Sequence, residues 1–217
     1  MKRRKATRDK KFLAQLGRVV AHWNDLELTT KVILFTATDA LYMVAVAARL
    51  NITTLSDVLR TIANEHDDEE GYIAKTIEWP RGSELRRRSL APIAPHVHHF
   101  LDYIDRLREY RNYCIHGIGS PNPKGEYRAF TITSKWQVKL HGRDISLREI
   151  TLLADEVEKC QRYGEAIAEA VRQNKDYVLF QTNKRATWPR KPPLPNKLLK
   201  DGLALQDVLL RPALNDD

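Results

Sequence analysis

The chain has 217 residues and a mass of 25.1 kDa, with 42% hydrophobic and 29% charged residues, a globular rather than disordered or fibrous composition. Two cysteines, Cys114 and Cys160, exclude a disulfide-stapled secreted scaffold. The most apolar run, residues 40–48, is about half of a membrane span, and the basic N-terminus leads into no apolar signal segment. The expectation is a soluble, cytoplasmic protein with no membrane partner.

The net charge is +8, and its distribution is uneven. Residues 1–11 hold seven basic side chains against Asp9 alone, and residues 182–200 hold six basic side chains and no acid. The body between them is close to neutral. Basic flanks of this kind either attract phosphate without reading sequence or act as solubilising tails. On the first reading Lys2, Arg3, Arg4 and Lys5 are candidate phosphate contacts.

In chain order, the first long pattern covers residues 12–36. Leu13, Leu16, Val20, Trp23, Leu26, Thr30, Ile33 and Leu34 recur at spacings of three and four, which predicts a helix. A second helix over residues 41–50 is apolar almost all round, and Asn51 breaks it. Ser56 is suited to cap a short helix to about residue 65. Residues 71–92, with Pro80, Gly82 and Pro92, read as loop. A third strong helix is predicted from Pro95, a residue that fits a first helical turn, to His116, with Gly117 as its stop.

Residues 119–125 carry turn chemistry. Phe130, Ile132, Trp136, Val138 and Leu140 then alternate with polar residues, with one slip near Ser134, and predict a small β-hairpin. Ser146-Leu147-Arg148-Glu149 is a capping box. It opens a long helix with the stripe Leu147, Ile150, Leu153, Val157, Cys160, Tyr163, Ile167, Ala170 and Val171, ending near Asn174. Residues 183–217 hold five prolines and read as an extended arm, with helical character at 203–210. The expected fold is all-α: a bundle of four or five helices with a small hairpin before the last long helix. The expected division is a basic arm at 1–11, the bundle at 12–181 and a basic Pro-rich arm at 182–217.

No phosphate-loop, dinucleotide or zinc motif is present. His96, His98 and His99 cluster, and His98 and Asp102 share a helix face, but nothing nearby supplies the remaining ligands for an ion. The cluster therefore reads as ordinary first-turn histidines, with no metal and no cofactor. Trp188-Pro189-Arg190-Lys191-Pro192-Pro193-Leu194-Pro195 fits a polyproline ligand less well than a stiff arm lying on its own domain or on a partner.

The informative segment is Arg111-Asn112-Tyr113-Cys114-Ile115-His116. Val97, Phe100, Leu101, Ile104, Leu107, Cys114 and Ile115 define an apolar stripe, and Arg111 falls near its middle. Arginine keeps its charge when buried and is costly to desolvate. It therefore has an acidic partner, or that part of the stripe faces a groove or an interface. Asn112 and His116, four apart, share a face beside it. His116 lies in the last helical turn, where the helix dipole favours the imidazolium. A cation, an amide and a titratable imidazole suit phosphodiester cleavage: a base takes the ribose 2′-hydroxyl proton, an acid protonates the leaving oxygen, and arginine stabilises the charged transition state.

On these residues the sequence resembles the HEPN superfamily, whose ribonuclease members carry Arg, a polar residue, three residues and His at the end of a bundle helix. Trp23-Asn24-Asp25-Leu26-Glu27 is similar to a tryptophan–leucine–glutamate pattern in the first helix of bacterial HEPN-like proteins. The resemblance covers residues 12–175. It implies a metal-independent endoribonuclease with RNA as substrate, usually a homodimer with a composite cleft, and often a toxin or phage-defence effector checked by an antitoxin or other regulatory protein. By that resemblance His116 is the acid/base, Arg111 the phosphate stabiliser and Asn112 an orienting or substrate-contacting group. Glu27 either orients Arg111 or His116 or forms an ion pair with Lys31 four residues on. Two other readings stand beside this one. The first is a non-catalytic HEPN-like module that binds RNA, nucleotide or protein. The second is an unrelated helical protein in which Arg111 is a structural ion-pair partner.

Overall fold

A computed structural model describes residues 2–38, 41–67, 93–116, 118–121, 127–133, 139–180 and 186–195. They form an all-α bundle of five helices: α1 (Lys2–Thr38), α2 (Leu41–Arg49), α3 (Ile52–Asp67), α4 (Ala94–His116) and α5 (Leu147–Phe180). Between α4 and α5 lie three short strands, β1 (Ile118–Pro121), β2 (Tyr127–Thr133) and β3 (Lys139–Ile145). They pair antiparallel in the order β1-β2-β3. Strands β2 and β3 run in register from Tyr127 opposite Ile145 to Thr133 opposite Lys139. The pairing of β1 with β2 shifts by one residue between Ile118 and Pro121.

Several boundaries differ from those the sequence predicts. The basic residues 2–11 are helical: α1 begins at Lys2 and runs unbroken through residue 12, where the bundle was expected to start. Lysine and arginine are good helix formers, and the long helix behind them needs no second nucleation. Ser56 is not a cap. It is buried in the second turn of α3, and its hydroxyl donates to the Ile52 carbonyl at 2.8 Å. Asn51 caps α3 instead, its Oδ1 accepting from the Thr54 amide at 3.0 Å. The capping box at the start of α5 forms as its residues predict. The Ser146 amide donates to Glu149 Oε2 at 2.7 Å, and the Glu149 amide donates to Ser146 Oγ at 3.2 Å. Helix α5 passes Asn174 and reaches Phe180, because neither glycine nor proline interrupts it there. Residues 119–121, expected as turn, belong to β1. The slip near Ser134 and the side chains of Trp136 and Val138 lie outside the described residues, as do Gly117, residues 68–92 and the stretch 203–210.

The chain divides into two compact units. Unit 1 comprises residues 1–24, 103–159 and 193–217. Its core holds Phe12, Val19 and Trp23 of α1, Ile104, Leu107, Tyr110 and Cys114 of α4, and Ile150, Leu153, Ala154 and Val157 of α5. Phe12 stacks on Tyr127 at 4.0 Å between centroids, and the Tyr127 hydroxyl donates to Asp9 Oδ1 at 2.9 Å, which fixes β2 to α1. Arg18 Nη2 bridges Asp155 at 3.1 Å and Glu158 at 2.9 Å on α5. The buried Tyr103 hydroxyl donates to Glu156 Oε2.

Unit 2 comprises residues 25–102 and 160–192. Its core holds Leu26, Ile33 and Leu34 of α1, Leu55, Leu59 and Ala63 of α3, Val97, Phe100 and Leu101 of α4, and Cys160, Ile167, Ala170 and Val171 of α5. At Gly164 the backbone of α5 comes close to its neighbours. A Cβ there would lie 2.6 Å from Phe100 Cε2 and 2.9 Å from Thr29 Cγ2. No helix among the described residues is long and apolar enough to cross a membrane.

Candidate functional site

The last two turns of α4 belong to unit 1. Helical periodicity puts Leu107, Tyr110 and Cys114 in the core, all of them 1% exposed or less. Arg111 follows Tyr110 on the border of this stripe. It is half-buried, and Asn112 beside it is exposed. Two contacts help position the Arg111 side chain. Its Nη1 donates to Asn112 Oδ1 at 3.1 Å, and its Cζ lies 5.4 Å from the ring centroid of Trp23 on α1. The indole is 3% exposed, so it forms a buried floor beneath the guanidinium. A cation over an indole face is stabilised by the ring quadrupole by about 0.5–2 kcal/mol. This contact lets Arg111 leave the apolar stripe without descending into the core. The guanidinium plane is held while its edge stays within reach of solvent.

The sequence-predicted site residues fall out as follows. Arg111 and Asn112 are joined by a hydrogen bond. His116 is the final residue of α4, five positions beyond Arg111, and its side chain lies outside the described residues. Glu27 belongs to unit 2, where its Oε1 accepts from Lys31 Nζ at 2.9 Å, the intrahelical pair that was one of its two expected arrangements. Lys2, Arg3, Arg4 and Lys5 form the first turn of α1, with side chains outside the described residues. Cys114 and Cys160 are buried thiols and are not disulfide-bonded.

Sequence reasoning placed Trp23 on the stripe of the first helix but did not link it to Arg111. The available signal was chemical, since an indole face is the strongest aromatic partner for a guanidinium. A second cluster was also undervalued. In unit 2, His96 Nδ1 lies 3.0 Å from the Tyr163 hydroxyl, and the His96 ring stacks on Trp188 at 5.2 Å and 15°. His99 Nε2 donates to the Pro192 carbonyl at 2.7 Å. Further along, in unit 1, Arg106 Nη1 donates to the Pro195 carbonyl at 2.6 Å. The Pro-rich segment therefore lies on its own domain. Burial first, then the cations of Lys191 and His99, hold the His96 imidazole below the usual histidine range. Burial, with Cys160 alongside, pushes the Tyr163 hydroxyl well above the usual phenol range. Among the described residues no group of three or more His, Cys, Asp or Glu is placed to hold a metal ion.

No protein-family model, no curated protein and no solved structure matches this chain.

Proposed function

We propose that this chain is an HEPN-type, metal-independent endoribonuclease, with Arg111, Asn112 and His116 as its catalytic residues. The observation that carries the reading is the Arg111 guanidinium, half-buried over the Trp23 ring and tied to Asn112 in the last turns of α4. A planar cation fixed in orientation with a solvent-facing edge suits a phosphodiester, whose two non-bridging oxygens match the guanidinium fork.

In the proposed reaction the ribose 2′-oxygen attacks the adjacent phosphorus while a neutral imidazole takes its proton. The bond from phosphorus to the 5′-oxygen breaks, and an imidazolium protonates that oxygen as it leaves. The products are a 2′,3′-cyclic phosphate and a 5′-hydroxyl. One His116 cannot hold both protonation states at once, so the proposal includes a second copy of the chain, each copy supplying one imidazole to a shared cleft. Arg111 stabilises the charge that develops on the phosphoryl oxygens, a role worth about 10²–10³-fold in rate for a single donor. His116 contributes general acid–base catalysis of about 10²–10⁴-fold. The basic first turn of α1, Lys2 to Lys5, supplies salt-sensitive attraction to the RNA backbone.

The test is cleavage of RNA in EDTA by the full chain beside Arg111→Ala and His116→Ala, with end-group analysis of the products. The expected result is a 2′,3′-cyclic phosphate from the wild type and its loss in both variants. RNA retained but left intact by a folded dimer would favour a non-catalytic RNA-binding module. Cleavage that survives in both variants would remove these residues from the site.

A further inference from the structure

The first turn of α4 and the facing part of α5 carry a cluster that the proposed cleavage chemistry does not use. His96 is sandwiched in unit 2. Tyr163 of α5 meets its Nδ1, and Trp188, from the segment 186–192, stacks on its ring nearly parallel. His99, one turn further on, meets Tyr163 edge-on at 5.6 Å and holds the Pro192 carbonyl. A carbonyl only accepts, so His99 carries a proton on Nε2. The segment has no regular secondary structure, and Thr187, Arg190 and Lys191 in it are exposed. Two of its attachments are made to histidines of α4, through the Trp188 ring and the Pro192 carbonyl.

We propose that residues 186–192 are a releasable latch, closed over α4 and α5 while His96 is neutral and opened when His96 takes up a proton.

Three features of the geometry set this direction. His96 stands in the first turn of α4, where the positive end of the helix dipole opposes an imidazolium. Among the described residues, the charged neighbours that act on it are Lys191 on the latch itself and His99 on α4, neither of them an acid that would welcome a cation, while Tyr163 on α5 meets its Nδ1. At Nδ1 neutral His96 can accept from or donate to the Tyr163 hydroxyl, whereas the imidazolium can only donate there. Two of the unfavourable influences, burial under Trp188 and the cation of Lys191, belong to the latch and disappear when it lifts. The closed state therefore binds a proton less readily than the open one. Closure is complete above the usual histidine value of about 6.5 and is lost as the pH falls below it.

The experiment uses the full chain labelled with 5-fluorotryptophan and follows its fluorine resonances as the pH is lowered from about 7.5 to about 5, a range that brackets histidine titration. Trp188→Phe assigns the latch resonance among the four tryptophans, Trp23, Trp79, Trp136 and Trp188. The expected result is loss of the closed Trp188 resonance at acid pH, replaced by that of a solvent-exposed indole, while the Trp23 resonance stays in place. His96→Phe keeps a stacking ring but cannot take a proton, and is expected to keep Trp188 in its closed position throughout. Lys191→Ala removes a surface cation that opposes protonation, and is expected to move the opening to lower pH. A wild-type Trp188 resonance unchanged across the range overturns the proposal. So does an opening in folded His96→Phe that matches the wild type. If circular dichroism shows that His96→Phe does not fold, Lys191→Ala decides, and an unshifted transition there overturns it.

Discussion

The two ends of α4 make an instructive contrast. At its start, in unit 2, polar side chains point into intrachain partners: His96 between Tyr163 and Trp188, His99 onto the Pro192 carbonyl. At its finish, in unit 1, Arg111 spreads over a buried indole and Asn112 stands exposed. The helix is the same and so is its apolar stripe, yet the first cluster secures a neighbouring segment while the second presents a cation at the surface. A polar residue on a stripe therefore says little until its surroundings are known. What distinguishes the two ends is where the hydrogen-bonding edge of each side chain is directed.

That contrast breaks if substitutions at the two ends have the same consequence. The largest effect is expected at Arg111. Arg111→Ala should lower RNA cleavage by about 10²-fold or more, yet urea denaturation should show a smaller effect, because the side chain is only half-buried and its hydrogen bond to Asn112 is exposed. Arg111→Lys is the sharper variant. It keeps the charge but loses the planar fork and its fit over Trp23, so it should recover little of the activity. Equal activity in Arg111→Lys and wild type would reduce the role of Arg111 to that of a point charge.

In unit 2 the order of effects reverses. Gly164→Ala puts a Cβ 2.6 Å from the Phe100 ring, a clash that α4 and α5 must absorb by moving apart. Overpacking of this kind costs about 1–3 kcal/mol, read as a lower denaturation midpoint, and cleavage per folded molecule should be unchanged. In unit 1, away from Arg111, Ser146→Ala removes one half of the capping box on α5 and should cost about 0.5–2 kcal/mol by the same measurement.

Much of this arrangement was legible in the residues and some was not. The apolar spacings of α4 and the Ser146–Glu149 box are local signals, and local signals survive folding. The helix at residues 2–11 was hidden because a dense run of lysine and arginine carries no apolar period, although each residue favours a helix on its own. Asn51 was read as a breaker when its amide oxygen caps the helix that follows, because the same side chain serves both ends of helices. The contact of Arg111 with Trp23 joins two helices far apart in the chain, and no periodicity encodes which face of one meets which face of the other. The same limit applies to Trp188 on His96. Composition identified a stiff Pro-rich segment, but its resting place depends on how α4 and α5 present their rings.

The smallest predicted effect carries the finest distinction. Glu27 and Lys31 are one helical turn apart, joined at 2.9 Å and only partly exposed. A pair of this kind contributes about 0.3–0.5 kcal/mol, so Glu27→Ala should barely move the denaturation midpoint, and Lys31→Ala should do the same. If the pair is all that Glu27 provides, both variants should cleave RNA as the wild type does. If Glu27→Ala loses activity and Lys31→Ala does not, the carboxylate serves the reaction. Comparing the two variants separates these roles, because a purely structural ion pair is lost equally from either side.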